Sequence, residues 1–179
     1  MTEEKQETRA EEIARVRGYL AGQAMKRTPA QLVDTLREAH QQFLAATAAV
    51  PGAVFRVRPK DGEWSAADVL DHVLTIAAYD ERSIPAVIER GEQPSDVLDL
   101  ISPVSSEMTR EQMLAELERL REQLIASVLE ADPDAHLAIV WGHNEFGAMN
   151  WREWLLFARV HTLDHARQMQ SIAAALASR

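Results

Sequence analysis

The sequence predicts an all-α protein: a single four-helix bundle with long connections and an extra N-terminal helix. Helix-start signals recur along the chain, and apolar residues follow them at helical spacing. A length of 179 residues suits one hydrophobic core.

The start signals share one logic. Thr28-Pro29-Ala30-Gln31 offers an N-cap hydroxyl, proline at the first helical position and a glutamine three residues after the cap. Ser65-Ala66-Ala67-Asp68, Thr109-Arg110-Glu111-Gln112 and Asn150-Trp151-Arg152-Glu153 follow the same logic. In each, a short polar side chain accepts from backbone N–H groups that the first turn leaves unpaired, and the side chain three residues on reaches back. Helices are expected at about 29–49, 65–90, 109–130 and 151–177. Pro85 marks a point where the second of these could kink or shorten.

The apolar stripes agree. Leu32, Leu36, Phe43 and Leu44 recur at helical steps, as do Met113, Leu117, Leu120, Leu124 and Val128. The last helix shows Trp151, Trp154, Leu155, Ala158, Met169, Ile172 and Leu176 on one side. Such stripes are what bundle helices bury against one another. A further helix near 8–25 carries Ile13, Val16 and Leu20. It is read as docking on the outside of the bundle or on a partner chain, the alternative being a frayed charged extension.

The connections Pro51–Trp64, Gly91–Met108 (with Pro94 and Pro103) and Ala131–Met149 are long. Bundle loops usually run ~2–8 residues, so crossovers and an irregular helix order are expected. Ala138–Trp141, then Gly142–Glu145, then Phe146-Gly147 reads as a small hairpin.

Composition excludes several functions. The net charge of −9 argues against a broad nucleic-acid surface, because phosphate contacts need clustered Lys and Arg. No apolar run approaches the ~20 residues of a membrane span, and the charged N-terminus is not a signal or transit peptide. Cysteine is absent, so no disulfide framework exists and a reducing, cytoplasmic setting is expected. Any thiolate nucleophile must come from a co-substrate.

Three of the six histidines point inward. His161 and His165 are four apart, hence one turn apart on one helix face, and they continue the stripe of positions 151, 154, 158 and 172. His72 shares a face with Val69 and Ile76. A lone histidine on an apolar face is usually a core residue with one hydrogen-bond partner. Three are harder to accommodate, since each unsatisfied buried polar group costs ~1–3 kcal/mol. A shared divalent metal relieves that cost. Neutral imidazoles suit zinc, nickel, iron or copper, and three of them leave positions open for water or substrate.

Trp64-Ser65 opening a helix, His72 about two turns inside it, and His161-Thr162-Leu163-Asp164-His165-Ala166-Arg167-Gln168 near the C-terminus resemble the DinB/YfiT-like metalloenzyme family. The resemblance implies a histidine triad of His72, His161 and His165 and a bundle of DinB/YfiT type with unusual helix order. It also implies one divalent transition metal, zinc or nickel first and iron or manganese next, and a homodimer. It spans about residues 28–177, so the chain divides into an N-terminal helical extension, 1–27, and a metal-binding helical bundle, 28–179. The family includes thiol-dependent transferases and isomerases, and metal-dependent hydrolases.

Other residues have two readings each. Ser65 and Asp68 form a helix cap, and Asp68 could also reach the His72 ring. Asp164 is expected solvated or paired with Arg167. Gln168, one turn past His165, could orient a bound water or substrate or make an interhelix hydrogen bond. His143 and Glu145, before the last helix, could supply a general base, but exposed loop residues are the simpler reading. Trp64, Trp141, Trp151 and Trp154 are core and interface mass, with Trp141 a candidate for a pocket mouth. His40 and His136 are structural or surface residues. The function expected is an enzyme acting on a small-molecule substrate, with the metal activating water (hydrolase) or a low-molecular-weight thiol (S-transferase). The alternatives are a non-catalytic metal- or ligand-binding module and a metal-free, pH-sensitive histidine cluster.

Overall fold

The computed structural model describes residues 8–97 and 107–177; Pro103 and residues 1–7 of the N-terminal extension lie outside them. Among the described residues five α-helices form: α1 (Arg9–Ala24), α2 (Pro29–Ala49), α3 (Ala66–Arg90), α4 (Arg110–Glu130) and α5 (Trp151–Leu176). Each begins with a reciprocal capping box, at Thr8, Thr28, Ser65, Thr109 and Asn150. The expected spans hold to within one or two residues. α3 continues through Pro85 to Arg90 and stops at Gly91. Gly91 has φ 64°, and a Cβ there would meet the His136 ring at 2.8 Å, so only glycine fits this stop.

α2 packs against α5 and α4, and α3 against α4 and α5. Helices consecutive in sequence, α2 with α3 and α4 with α5, therefore sit across the bundle from each other. Two apolar clusters fix the directions. One joins the N-terminal halves of α2 and α5 (Leu32, Leu36, Trp151, Leu155) to the C-terminal halves of α3 and α4 (Ile84, Val87, Leu124, Val128). The other joins the opposite halves (Phe43, Ala46, Val69, Leu70, Met113, Leu117, Met169, Ile172). So α2 and α5 run one way and α3 and α4 the other. Parallel neighbours cannot be joined by a tight turn, which is why the α3–α4 link is long. The other two long links cross a bundle end.

Between the clusters lies a polar waist, where α5 contributes His161, Thr162 and His165, α4 Arg121, α3 Asp80 and α2 His40.

α1 docks on α5 of its own chain. Leu20 and Ala24 are fully buried, Arg17 pairs with Glu153 at 2.6 Å, and Arg159 donates to the Tyr19 hydroxyl at 3.2 Å. The frayed-extension alternative thus does not hold for Arg9–Ala24. The hairpin exists, shifted from its expected place: β1 (Trp141–His143) pairs antiparallel with β2 (Gly147–Met149), Trp141 opposite Met149. Residues 138–140 are not strand. Val97 bridges to this hairpin, donating to Gly142 O at 2.8 Å and accepting from Asn144 N at 3.1 Å. Among the described residues, no helix is long and apolar enough to cross a membrane.

Candidate metal centre

α3 and α5 are neighbours, and both carry histidines on their facing stripes. His72 is buried; His161 and His165 are half-buried. His161 Nε2 lies 3.0 Å from His72 Nε2 and 3.1 Å from His165 Nε2. One ligand atom from each residue falls within 4.8 Å of the other two. The i, i+4 spacing sets the first pair, and the α3–α5 contact adds the third ring. Trp64, just before the Ser65 cap, stacks on His165 at 6.3 Å and 9°, and sits 5.1 Å from His72.

Burial disfavours the charged form of all three. His72 is pushed from 6.5 down to about 4 by desolvation, then by repulsion from His165. His161 falls well below 6.5 through desolvation, with His165, His72, Arg121 and His143 adding repulsion. His165 is lowered by desolvation, partly offset by its hydrogen bond to Gln168 and by Asp164. The trio is neutral near pH 7, with ring lone pairs available.

This donor set fits a cation. A neutral imidazole nitrogen carries either one proton or one lone pair, so His161 Nε2 cannot form linear hydrogen bonds to both neighbours. One ion accepts all three lone pairs. Imidazoles sharing a tetrahedral ion at ~2.0–2.1 Å stand about 3.3 Å apart, close to the two short spacings here. Gln168 Oε1 lies 2.8 Å from His165 Nδ1. An amide oxygen only accepts, so Nδ1 bears the proton and Nε2 faces the trio with its lone pair. One feature opposes: His161 Nδ1 is sealed from solvent without a hydrogen-bond partner. Protonated there, it costs ~1–3 kcal/mol. That is small beside the ~10–16 kcal/mol of apparent free energy that a protein zinc site can supply.

The triad lines a cleft of about 490 Å³. Aromatic rings form much of its wall: Trp64, Tyr79, Phe146, Trp154 and Phe157. α1 adds Arg9, Glu12, Arg15 and Val16 at the rim.

The other sequence candidates separate. Gln168 is hydrogen-bonded to His165 within α5, not to another helix. Glu145 is at the rim and bound by Arg9 through contacts of 2.5 and 3.2 Å. His143 departs from the exposed-loop reading. It ends β1, is half-buried, and packs on Phe146, Phe157 and Trp154 at ring distances of 4.9, 4.9 and 5.8 Å. Asp68 serves the cap, accepting from Ser65 N and Oγ at 2.9 and 2.8 Å. Asp164 pairs with Arg167 at the surface. Trp141 is sealed inside, stacked on Trp154, so Trp64 and not Trp141 stands at the cleft. His136 is exposed. His40 is half-buried, with both ring nitrogens enclosed and unpartnered, and is lowered to about 4 by burial and then by Arg121.

Sequence reasoning missed the ion pair behind His161. Arg121 Nη1 donates to Asp80 Oδ2 at 3.0 Å and Nη2 lies 3.4 Å from Thr162 Oγ1, with both charged side chains 2% exposed. The signal was present. Arg121 is four after Leu117 and three before Leu124, and Asp80 is four after Ile76, so both charges lie on apolar stripes.

A family model of the DinB superfamily matches residues 35–169, three quarters of the chain and all three histidines. This chain belongs to the DinB superfamily. Its fold is similar to that of the crystal structure of TT2238, described as a four-helix bundle protein. The TM-score is 0.62 at 22% identity, over 80% of this chain and 99% of that one. No curated protein matches the sequence. The superfamily match begins inside α2, so α1 and the cleft rim it builds lie outside the matched region.

Proposed function

We propose that this DinB superfamily member is a metal-dependent enzyme. One divalent transition metal, zinc or nickel before iron or manganese, is held by His72, His161 and His165. The observation that carries the proposal is the convergence of three neutral ring nitrogens on the wall of a cleft. Such an ion supplies Lewis acidity, lowering the pKa of water or of a small-molecule thiol toward neutrality. Hydrolysis or S-transfer follows according to which enters. The chain has no cysteine, so the thiol in the second case is a co-substrate.

The protein's own residues do the rest. Gln168 fixes the His165 tautomer, Trp64 holds His165 and His72 in place, and the aromatic wall excludes water from the reacting groups. All three ligands come from one chain, so the proposal holds for a monomer or for the expected homodimer. Metal analysis of purified protein is expected to give about one transition metal per chain. His72→Ala, His161→Ala and His165→Ala should each strip most of it. Full metal retention in all three variants would sink the site. Assays with esters and amides, against thiol-plus-electrophile pairs, separate the two reactions.

A further inference from the structure

His143 was a candidate general base, and its hydrogen bonds argue against that role. Its Nδ1 accepts from two backbone N–H groups, Glu145 N at 3.1 Å and Phe146 N at 3.4 Å. An accepting nitrogen carries the lone pair, so in the neutral ring the proton is on Nε2. Three features hold that arrangement. The hairpin turn aims both N–H groups inward, Val97 pins β1 from the side, and Phe146, Phe157 and Trp154 box the ring. Nε2 meets no hydrogen-bond partner among the described residues, yet it is not sealed from solvent as His161 Nδ1 is. His143 lines the same cleft as the triad. Its remaining ring nitrogen is therefore an N–H on a cleft-lining residue, beside aromatic rings that stand at 51° to 88° to one another.

We infer that His143 is a substrate-binding hydrogen-bond donor, and that the cleft takes an apolar compound whose carboxylate or carbonyl oxygen accepts from Nε2–H. The aromatic rings Tyr79, Phe146, Trp154 and Phe157 cover the apolar body. The oxygen is the group that an N–H surrounded by hydrocarbon would select, because an isostere without it leaves that donor unpaired. This rests on the reading of the cleft as a substrate site. It does not require that the triad hold metal.

The probe is benzoate, titrated into zinc-treated and metal-free protein and followed by tryptophan fluorescence and calorimetry. His143→Phe keeps the aromatic packing and removes the donor, so benzoate affinity should fall about ten- to a hundredfold, the weight of one hydrogen bond to a charged group. His143→Gln, whose amide can donate from a similar reach, should recover part of the loss, and zinc content should be unchanged in both. Histidine nitrogen NMR of the full chain should show His143 Nδ1 unprotonated and Nε2 protonated near neutral pH. Undiminished benzoate binding by His143→Phe would overturn the inference. So would no binding by the wild type, or a proton on Nδ1. If zinc fails to bind while the His143-dependent affinity persists, the metal proposal falls and this one stands.

Discussion

Two polar clusters share the waist of this bundle, and they solve burial in opposite ways. Asp80, Arg121 and Thr162 come from α3, α4 and α5 and pair with one another: an anion, a cation and a hydroxyl, with both charged side chains 2% exposed and Arg121 Nε alone enclosed without a partner. His72, His161 and His165 come from two of the same helices and are three copies of one neutral base. Two neutral imidazoles can share one hydrogen bond, but His161 Nε2 cannot serve both of its neighbours, and this cluster opens to a cleft. Adjacent positions in α5, His161 and Thr162, serve the two. The difference bears on the proposed function: a polar cluster paired across three helices holds them together, while the proposal assigns the one left incomplete and open to an ion from outside.

The largest effect expected from breaking this contrast is on the closed side. Removing one member of a buried pair strands the other charge, at a cost of about 3–5 kcal/mol. Arg121→Ala should lower unfolding stability by that amount in denaturant titration. A double change to Asp80→Asn with Arg121→Met, which removes both charges, should cost much less. The two proteins should keep the metal content of the wild type wherever they remain folded. Loss of metal with little loss of stability would show that the ion pair belongs to the site and that the division is wrong.

A smaller effect lies on the open side. Gln168 is hydrogen-bonded to the far nitrogen of His165, at 2.8 Å. Partners of this kind typically contribute 10–100-fold to metal affinity. Gln168→Ala should weaken zinc binding by about that factor in a competition assay with a chelator. Gln168→Glu, which still accepts from Nδ1–H, should bind as well as the wild type or better. Equal affinity in Gln168→Ala would return Gln168 to being an ordinary surface residue.

How much of this was readable beforehand follows from the range of the interactions involved. The caps at Thr28, Ser65, Thr109 and Asn150 act within four residues, so the helix spans could be read closely. The triad was legible because His161 and His165 sit one turn apart and His72 lies on an apolar stripe. Helix order was not, since it depends on which apolar halves meet. The role of His143 also escaped: its burial is made by Trp154 and Phe157, more than ten residues away, and its tautomer by the turn that follows it. Arg121 and Asp80 were passed over because charges are usually solvated. Their place on apolar stripes outweighs that expectation, since a charge at such a position needs a partner across the bundle.

The last effect comes from pH, where the two clusters pull in opposite directions. His40 and His72 are lowered from 6.5 to about 4, and His143, His161 and His165 are lowered as well. Below pH 6.5 the unfolded chain therefore binds more protons than the folded one, and stability present above that pH is lost as it falls toward 4. Asp80 is raised from 3.8 to about 6, by desolvation that outweighs Arg121. Its sign is reversed: stability present below 3.8 is lost as pH rises through 6. Between those limits five histidines oppose one carboxyl, so metal-free protein should lose stability on acidification, by less than the histidines alone would give. Asp80→Asn removes the opposing carboxyl, and its profile, though lower overall, should fall more steeply between pH 6.5 and 4. Zinc should move the fall of the wild type to lower pH, because protons must then compete with the ion for the ring nitrogens. A metal-free profile that rises on acidification would mean that the closed cluster, and not the open one, governs the response of this waist to pH.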